Sequence, residues 1–188
     1  LFAHRCFEPG TIKATFGSGC SVLLNTGDAP RIGGSGTVAT LAWVYGDRPT
    51  YGLEGLINYS AATISWLKDQ LGLTNDIQKT EAMAQSVEDN GGVYLIPAFS
   101  GMGAPWWNSE ARAAILGLTA HSDKNHIIRA GLESIAYQVR DVVEMMSRDC
   151  GVTPTIIRAD GGATANRFLM RFTADILGLE TQVADLAD

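Results

Sequence analysis

The residues Asp160–Gly161–Gly162–Ala163 stand between an apolar run, "TIIRAD", and a helix-like one, "ATANRFLMRFTADILG". A strand that empties through two glycines into a helix leaves N–H groups pointing out of the turn, with a helix dipole behind them. Both favour an anion. Gly161 and Gly162 carry no side chain, so a ligand can approach the main chain closely. Asn166, about one helical turn further on, would project to the same end and hydrogen-bond a phosphate, ribose or base. An ordinary strand–turn–helix connection has the same pattern. The motif lacks the Lys-Ser/Thr of a P-loop and the spacing of G-x-G-x-x-G, so neither familiar phosphate signature applies.

A second glycine cluster is Phe16–Gly17–Ser18–Gly19–Cys20. A hairpin tip of glycines around a hydroxyl can wrap a phosphate with backbone N–H groups and the Ser18 Oγ; a plain hairpin turn is the alternative. Ser18 as a nucleophile lacks support, because G-x-S-x-G is absent and His4, His121 and His126 fall in no triad motif. Cys20 reads as a small buried apolar residue. In the loop "FSGMGAPWWNSEAR", Trp106 and Trp107 could stack on a sugar or base, although such pairs more often pin a loop to the core. Arg112 is expected to pair with Glu110 or another acid. Glu133 and Asp141 are expected to be solvated or paired.

The elements around these residues follow from periodicity. Residues 11–26 alternate as a hairpin turned at "GSG", and "RIGGSGTVATLAWVYGDRPTYGLEG" reads as further short strands. From Glu54 to Leu71 the pattern predicts a helix, with Ile57, Ala61, Ile64 and Leu67 on one face. "LTNDIQKTEAMAQSVEDNGG" is a polar connection with a helix in its second half. "GVYLIPAF" predicts a buried strand and "AAILGLT" another. Ser122 then caps a long helix whose apolar stripe is Ile128, Leu132, Ile135, Val139, Val142 and Met146, stopping near Gly151. "TPTIIRAD" is a strand, residues 163–178 a helix, and residues 180–185 a last strand. Hairpins first and helix–strand alternation afterwards predict a mixed sheet with helices packed on it.

A net charge of −6 without a basic stripe argues against nucleic acid as a partner. The apolar runs are too short to cross a membrane. Three widely spaced cysteines suggest neither a zinc site nor a disulfide framework, which points to a reducing cytoplasm. The chain begins at Leu1 without a methionine and reads as a piece of a longer protein.

Taken in order, these segments resemble the FGGY carbohydrate kinases, and within them the glycerol kinases most closely. "TFGSGCSVLLNTG" is similar to the family's phosphate-loop hairpin and "EGLINYSAATISWLKDQLGL" to the helix beside the adenine. "YLIPAFSGMGAPWWNSEARAAILGLT" and "HIIRAGLESIAYQVRDVVEMM" are similar to its long central signature, and "DGGATANRFLMRFTADILG" to its adenosine motif. The resemblance implies an actin/Hsp70-like, ribonuclease H-like α/β ATPase domain, with residues 1–188 forming the C-terminal nucleotide-binding half of a two-domain kinase. It implies ATP and Mg²⁺ in the cleft toward an N-terminal substrate domain, and a homo-oligomer is left open.

The nucleotide-binding set it implies is Gly17, Ser18, Gly19, Ala61, Ser65, Gly161, Gly162, Ala163 and Asn166. Gly17 and Ser18 would face the terminal phosphates, and Gly162, Ala163 and Asn166 the adenosine end. Ala61 and Ser65 fall where the family has glycine and glutamine. No catalytic residue or metal ligand is expected within the chain, because the family's proton-accepting aspartate lies in a Gly-Asp-Gln motif a few residues before the segment matching "LFAHRCF". Ser21 stands on the substrate side, where glycerol kinases usually place an aromatic. The implied reaction is ATP-dependent phosphorylation of glycerol or a related polyol. The alternatives are a larger sugar such as a pentulose, or a catalytically silent actin-like module.

Overall fold

The computed structural model describes residues 1–32, 34 and 36–184. Strands β1 (Thr11–Phe16) and β2 (Cys20–Gly27) form the expected hairpin, with Phe16 opposite Cys20 across the glycine tip. β3 (Val38–Tyr45) and β4 (Arg48–Ile57) form a second hairpin. Helix α1 (Ala61–Asp69) follows, then a 3-10 turn at Ile77–Lys79, helix α2 (Thr80–Gln85), and a ribbon of β5 (Tyr94–Ile96) with β6 (Ala114–Leu116). The long α3 (Lys124–Cys150) leads to β7 (Ile156–Asp160), a 3-10 turn at Gly162–Ala165, α4 (Arg167–Leu177) and β8 (Glu180–Val183).

The main sheet is mixed, in the order β3-β4-β2-β1-β7-β8. β2 is antiparallel to both of its neighbours, while β1, β7 and β8 are parallel. β1, β4 and β7 therefore all run the same way. Alternation sends Ile12, Ala14, Phe16, Val22 and Leu24 to one face, where all are fully buried. The α3 stripe of Ile128, Leu132, Ile135, Val139, Val142 and Met146 packs into that core, with none of the six more than 2% exposed. Each such burial contributes roughly 2 kcal/mol. The other face carries Lys13, Thr15, Ser21, Leu23 and Glu54.

Several elements depart from the sequence reading. Glu54–Ile57 is strand rather than helix, because the β2 ladder runs through all four residues and claims their backbone; the helix starts only after Ser60. "GVYLIPAF" is not a buried strand. Only Tyr94–Ile96 form a strand, with a single partner, and Tyr94 and Ile96 face out while Leu95 is buried. Residue 185 of the last predicted strand, like residues 33 and 35 of the glycine-rich connection, lies outside the described residues.

Helix α3 is capped by Asp123, one residue after the predicted Ser122. The Asp123 carboxylate accepts from Asn125 N at 2.8 Å and His126 N at 3.2 Å, and the His126 ring accepts the Asp123 N–H in return. Ser122 instead closes the preceding turn by accepting the Thr119 N–H. Asp123→Ala is therefore expected to lower the urea unfolding midpoint measurably, and Ser122→Ala clearly less.

Candidate functional site

The carboxyl ends of β1, β4 and β7 reach the same edge of the sheet, which is where open α/β sheets bind ligands. The Gly17–Ser18–Gly19 tip, the start of α1 and the Gly161–Gly162 turn emerge there side by side. They enclose a cavity of about 620 Å³, a size suited to a small-molecule ligand. Its lining includes Gly17, Ser18, Ala61, Ser65, Gly162, Ala163 and Asn166 from the sequence-derived set. Gly19 and Gly161 are not in that lining. A Cβ on Gly19 would meet the Ile57 carbonyl at 2.6 Å, and one on Gly161, at φ +93°, would meet the Phe16 carbonyl oxygen at 2.6 Å. These two glycines let neighbouring backbones pass behind the site.

The hairpin tip docks on the first turn of α1. The Ser18 carbonyl accepts from Ser60 N at 2.8 Å and Ala62 N at 3.1 Å, and the Gly17 carbonyl accepts from Ala61 N at 3.0 Å. The amides at the start of α1 are thus used within the fold. The Gly17, Ser18 and Gly19 N–H groups donate to no carbonyl outside the strand ladders among the described residues. Uncommitted backbone amides at a glycine tip beside an exposed hydroxyl such as that of Ser18 are chemically suited to an anion.

The glycine turn after β7 has a different character. It runs into a 3-10 turn rather than directly into the helix, and α4 begins at Arg167. The Asn166 side chain caps that helix, its oxygen accepting from Leu169 N at 3.0 Å and its amide donating to Thr80 Oγ1 at 3.2 Å. The Glu81 carboxylate accepts the Arg167 N–H at 2.8 Å. A carboxylate already occupies this helix N-terminus, so the dipole argument for an anion does not hold at this end. With Ile64, Ile77, Leu132, Ile135 and Leu169 also lining the cavity, this end suits an uncharged, partly apolar group.

Ile77, Gln78, Thr80 and Glu81 form a wall that the sequence reading missed. Their segment looked like a polar connection, and its only signal was the Asp76 cap, which accepts the Gln78 N–H at 2.9 Å. Ser65 contributes its side chain from the second turn of α1, one turn after Ala61. The remaining candidates sit elsewhere. Trp106 and Trp107 are 61% and 51% exposed and are not pinned into the core, although the Trp107 indole donates to the Gly36 carbonyl. Arg112 donates to the carbonyls of Ser109 and Ala111 rather than pairing with Glu110. Glu133 is buried and paired with Arg129 at 2.8 Å. Burial pushes the Cys20 thiol up to about 12, which makes it a poor nucleophile.

On the outer side of the same hairpin runs a shallow groove of about 310 Å³, from Gly17–Ser18–Gly19 past Thr15 to Ser21 and Leu56. Ser21 Oγ donates to Glu54 Oε1 at 2.7 Å. Gly17 and Ser18 line both the cavity and the groove. Beside them, Asp160 is held by His4 Nε2 at 2.9 Å and Lys13 Nζ at 3.1 Å. Desolvation pushes its carboxyl up, but the polar Thr15 and Lys13 side chains and the nearby Lys13 and His4 charges outweigh it and leave it below the usual carboxylate range. Among the described residues no three His, Cys, Asp or Glu side chains gather as a metal site, and no helix is long and apolar enough to cross a membrane.

The comparisons with known proteins agree with this architecture. Glycerol kinase 1 of Thermotoga maritima is 50% identical over 188 residues, all of this chain and 38% of its own length. The glycerol kinase of Shewanella frigidimarina is 51% identical over 179 residues, 95% of this chain and 36% of its own. This chain thus spans less than two-fifths of these relatives. The Plasmodium falciparum glycerol kinase, solved with ADP, superposes with a TM-score of 0.93 at 35% identity, covering 97% of this chain and 37% of that one. A xylulose kinase from Lactobacillus acidophilus shares the fold, with a TM-score of 0.84 at 21% identity over 97% of this chain and 36% of that one. The mixed sheet with helices packed on it is the actin/Hsp70-like fold of these kinases. The model of the FGGY family of carbohydrate kinases, C-terminal domain, matches residues 12–188, and the chain belongs to that family.

Proposed function

We propose that this chain is the C-terminal, ATP-binding half of a cytoplasmic kinase that phosphorylates a hydroxyl of glycerol or a related polyol. The observation that carries the reading is the shared wall: Gly17 and Ser18 stand between the large cavity and the groove leading to Ser21. A nucleotide with its base against Ile64, Ile135 and Leu169 and its ribose near Ala163 would bring its terminal phosphate to that wall. An acceptor in the groove would meet it from the other side. Phosphoryl transfer asks a protein mainly for positioning and charge stabilisation. The Gly17, Ser18 and Gly19 amides and the Ser18 hydroxyl would supply part of both.

The aspartate that would take the hydroxyl proton is expected in the segment preceding Leu1, and most acceptor contacts in the N-terminal domain. Mg²⁺, when bound, neutralises phosphate charge. Mg²⁺ is commonly held by one or two carboxylates together with substrate phosphates, so it would arrive with the nucleotide. A panel of glycerol, longer polyols and pentuloses on the full-length protein, read as ATP-dependent ADP release, tests the proposal; no turnover with any of them would overturn it.

The Ser21–Glu54 hydrogen bond favours a second reading, a longer acceptor. A hydroxyl and a carboxylate on the groove side replace an aromatic wall and offer partners to further hydroxyls. Ser21→Phe should raise kcat/KM for glycerol relative to larger polyols by roughly tenfold, the scale of one apolar contact. An unchanged ratio would show that Ser21 does not face the acceptor.

A further inference from the structure

The backbone ladder between β1 and β7 ends at the Thr15–Asp160 pair. One residue beyond it on one strand is Gly161; two beyond it on the other is Gly17. Both strands leave the sheet here to form the two turns that border the cavity. Where the ladder stops, side chains on the outer face take over. Lys13 points along its own strand, donates to Thr15 Oγ1, and lies 3.1 Å from Asp160 Oδ1. His4, from the segment leading into β1, holds Asp160 Oδ2 at 2.9 Å. The three side chains are 15%, 22% and 7% exposed for Lys13, Asp160 and His4, so the cluster is largely shielded from solvent.

None of the three lines the large cavity, and they lie on the face away from the α3 core. Ion pairs of this partly exposed kind add little net stability. What they restrict is geometry. Resting on the nucleotide reading above, we propose that Lys13, Asp160 and His4 form a tie that sets the spacing between the Gly17–Ser18–Gly19 hairpin and the Gly161–Gly162 turn. The tie acts as a positioning device for any ligand that must touch both turns at once. A displacement of about 1 Å between groups that act together can cost on the order of a hundredfold in rate. A ligand that touches only the glycine turn is indifferent to it.

That asymmetry separates positioning from mere stabilisation. In the full-length protein, Lys13→Met, Asp160→Asn and the double variant are titrated with adenosine by ligand-observed NMR, which reads weak binding. They are also titrated with β,γ-methylene-ATP by calorimetry. The tie predicts adenosine affinity within about twofold of wild type, and ATP-analogue affinity lowered about tenfold or more in each single variant, or 1.4 kcal/mol. The double variant should be no weaker than the weaker single one, because either change already breaks the tie. Lys13→Arg, which keeps the ion pair, should retain analogue affinity.

Equal losses for both ligands would reduce the cluster to a structural role and overturn the proposal. Analogue affinity lost in Lys13→Met but kept or improved in Asp160→Asn would mean that Lys13 binds phosphate directly, and would overturn it too. Unchanged affinity for both ligands in all variants would do the same. Wild-type protein that binds neither ligand would refute the nucleotide site itself.

Discussion

Gly162→Val is expected to leave the fold intact while lowering ATP affinity by about 30-fold or more, a loss of roughly 2 kcal/mol. Gly162 lines the cavity, and a Cβ built on it meets no atom within 4 Å. The added side chain would therefore start in open space on the cavity side. It would occupy the space a ligand needs to approach the Gly162 and Ala163 amides. Its neighbour should behave in the opposite way. Gly161 sits at φ +93°, and a Cβ there meets Phe16 backbone atoms at 2.6, 2.8 and 3.0 Å. Gly161→Val should cost on the order of 3 kcal/mol of stability, from the left-handed backbone and the backbone overlap together. Thermal unfolding and calorimetry on both variants of the full-length protein check the pair. Unchanged ATP affinity in Gly162→Val would refute the site assignment, and an unaltered melting temperature in Gly161→Val would refute the packing argument.

Glu133→Ala is expected to destabilise the protein by about 3 kcal/mol or more, because it leaves a partly buried cation without its counter-charge. Glu133 is 3% exposed and accepts from Arg129 Nε at 2.8 Å, Asn90 Nδ2 at 2.9 Å and Tyr137 Oη at 3.3 Å. Arg129, oriented by that pair, donates through Nη1 to the carbonyls of Val87 and Glu88, just after α2, and its guanidinium lies over the Phe168 ring of α4. The residue therefore joins α2, α3 and α4. Since Thr80 and Glu81 of α2 wall the cavity, the loss should also loosen one side of the site. Urea unfolding of Glu133→Ala and Glu133→Gln measures the effect, with glutamine expected to retain a substantial part of it. A change below about 0.5 kcal/mol, the level of an ordinary surface substitution, would show that the network carries no weight.

The α3 stripe was legible from its spacing alone, since residues stepping by three and four must share one helical face. The first hairpin was legible from alternation on either side of "GSG". Both signals are local. The start of α1 was not legible: "EGLI" has helical spacing, and only pairing with β2, joined by β3 at Glu54, makes Glu54–Ile57 a strand. The cap of α3 was misplaced by one residue because Ser122 and Asp123 are both competent caps, and the choice depends on which of them the His126 ring can reach.

At the site, the chemical types were readable in the chain: glycines around a hydroxyl at Ser18, and two more before Asn166. Their division of labour was not. Gly161 and Gly162 look equivalent in one dimension, yet one accommodates the Phe16 backbone and the other borders the cavity. The Asn166 side chain, read as a ligand group, is engaged in capping its own helix and bonding Thr80. The wall formed by Ile77, Gln78, Thr80 and Glu81 comes from a segment some 80 residues before Asn166 in the chain, and no local pattern announces such a meeting. Periodicity and glycine chemistry act over a few residues, so the sequence establishes the elements and the kinds of group at their ends. The parallel run of β1, β4 and β7 to one edge, with the cavity on one side of Ser18 and the groove on the other, arises from long-range packing that joins distant segments.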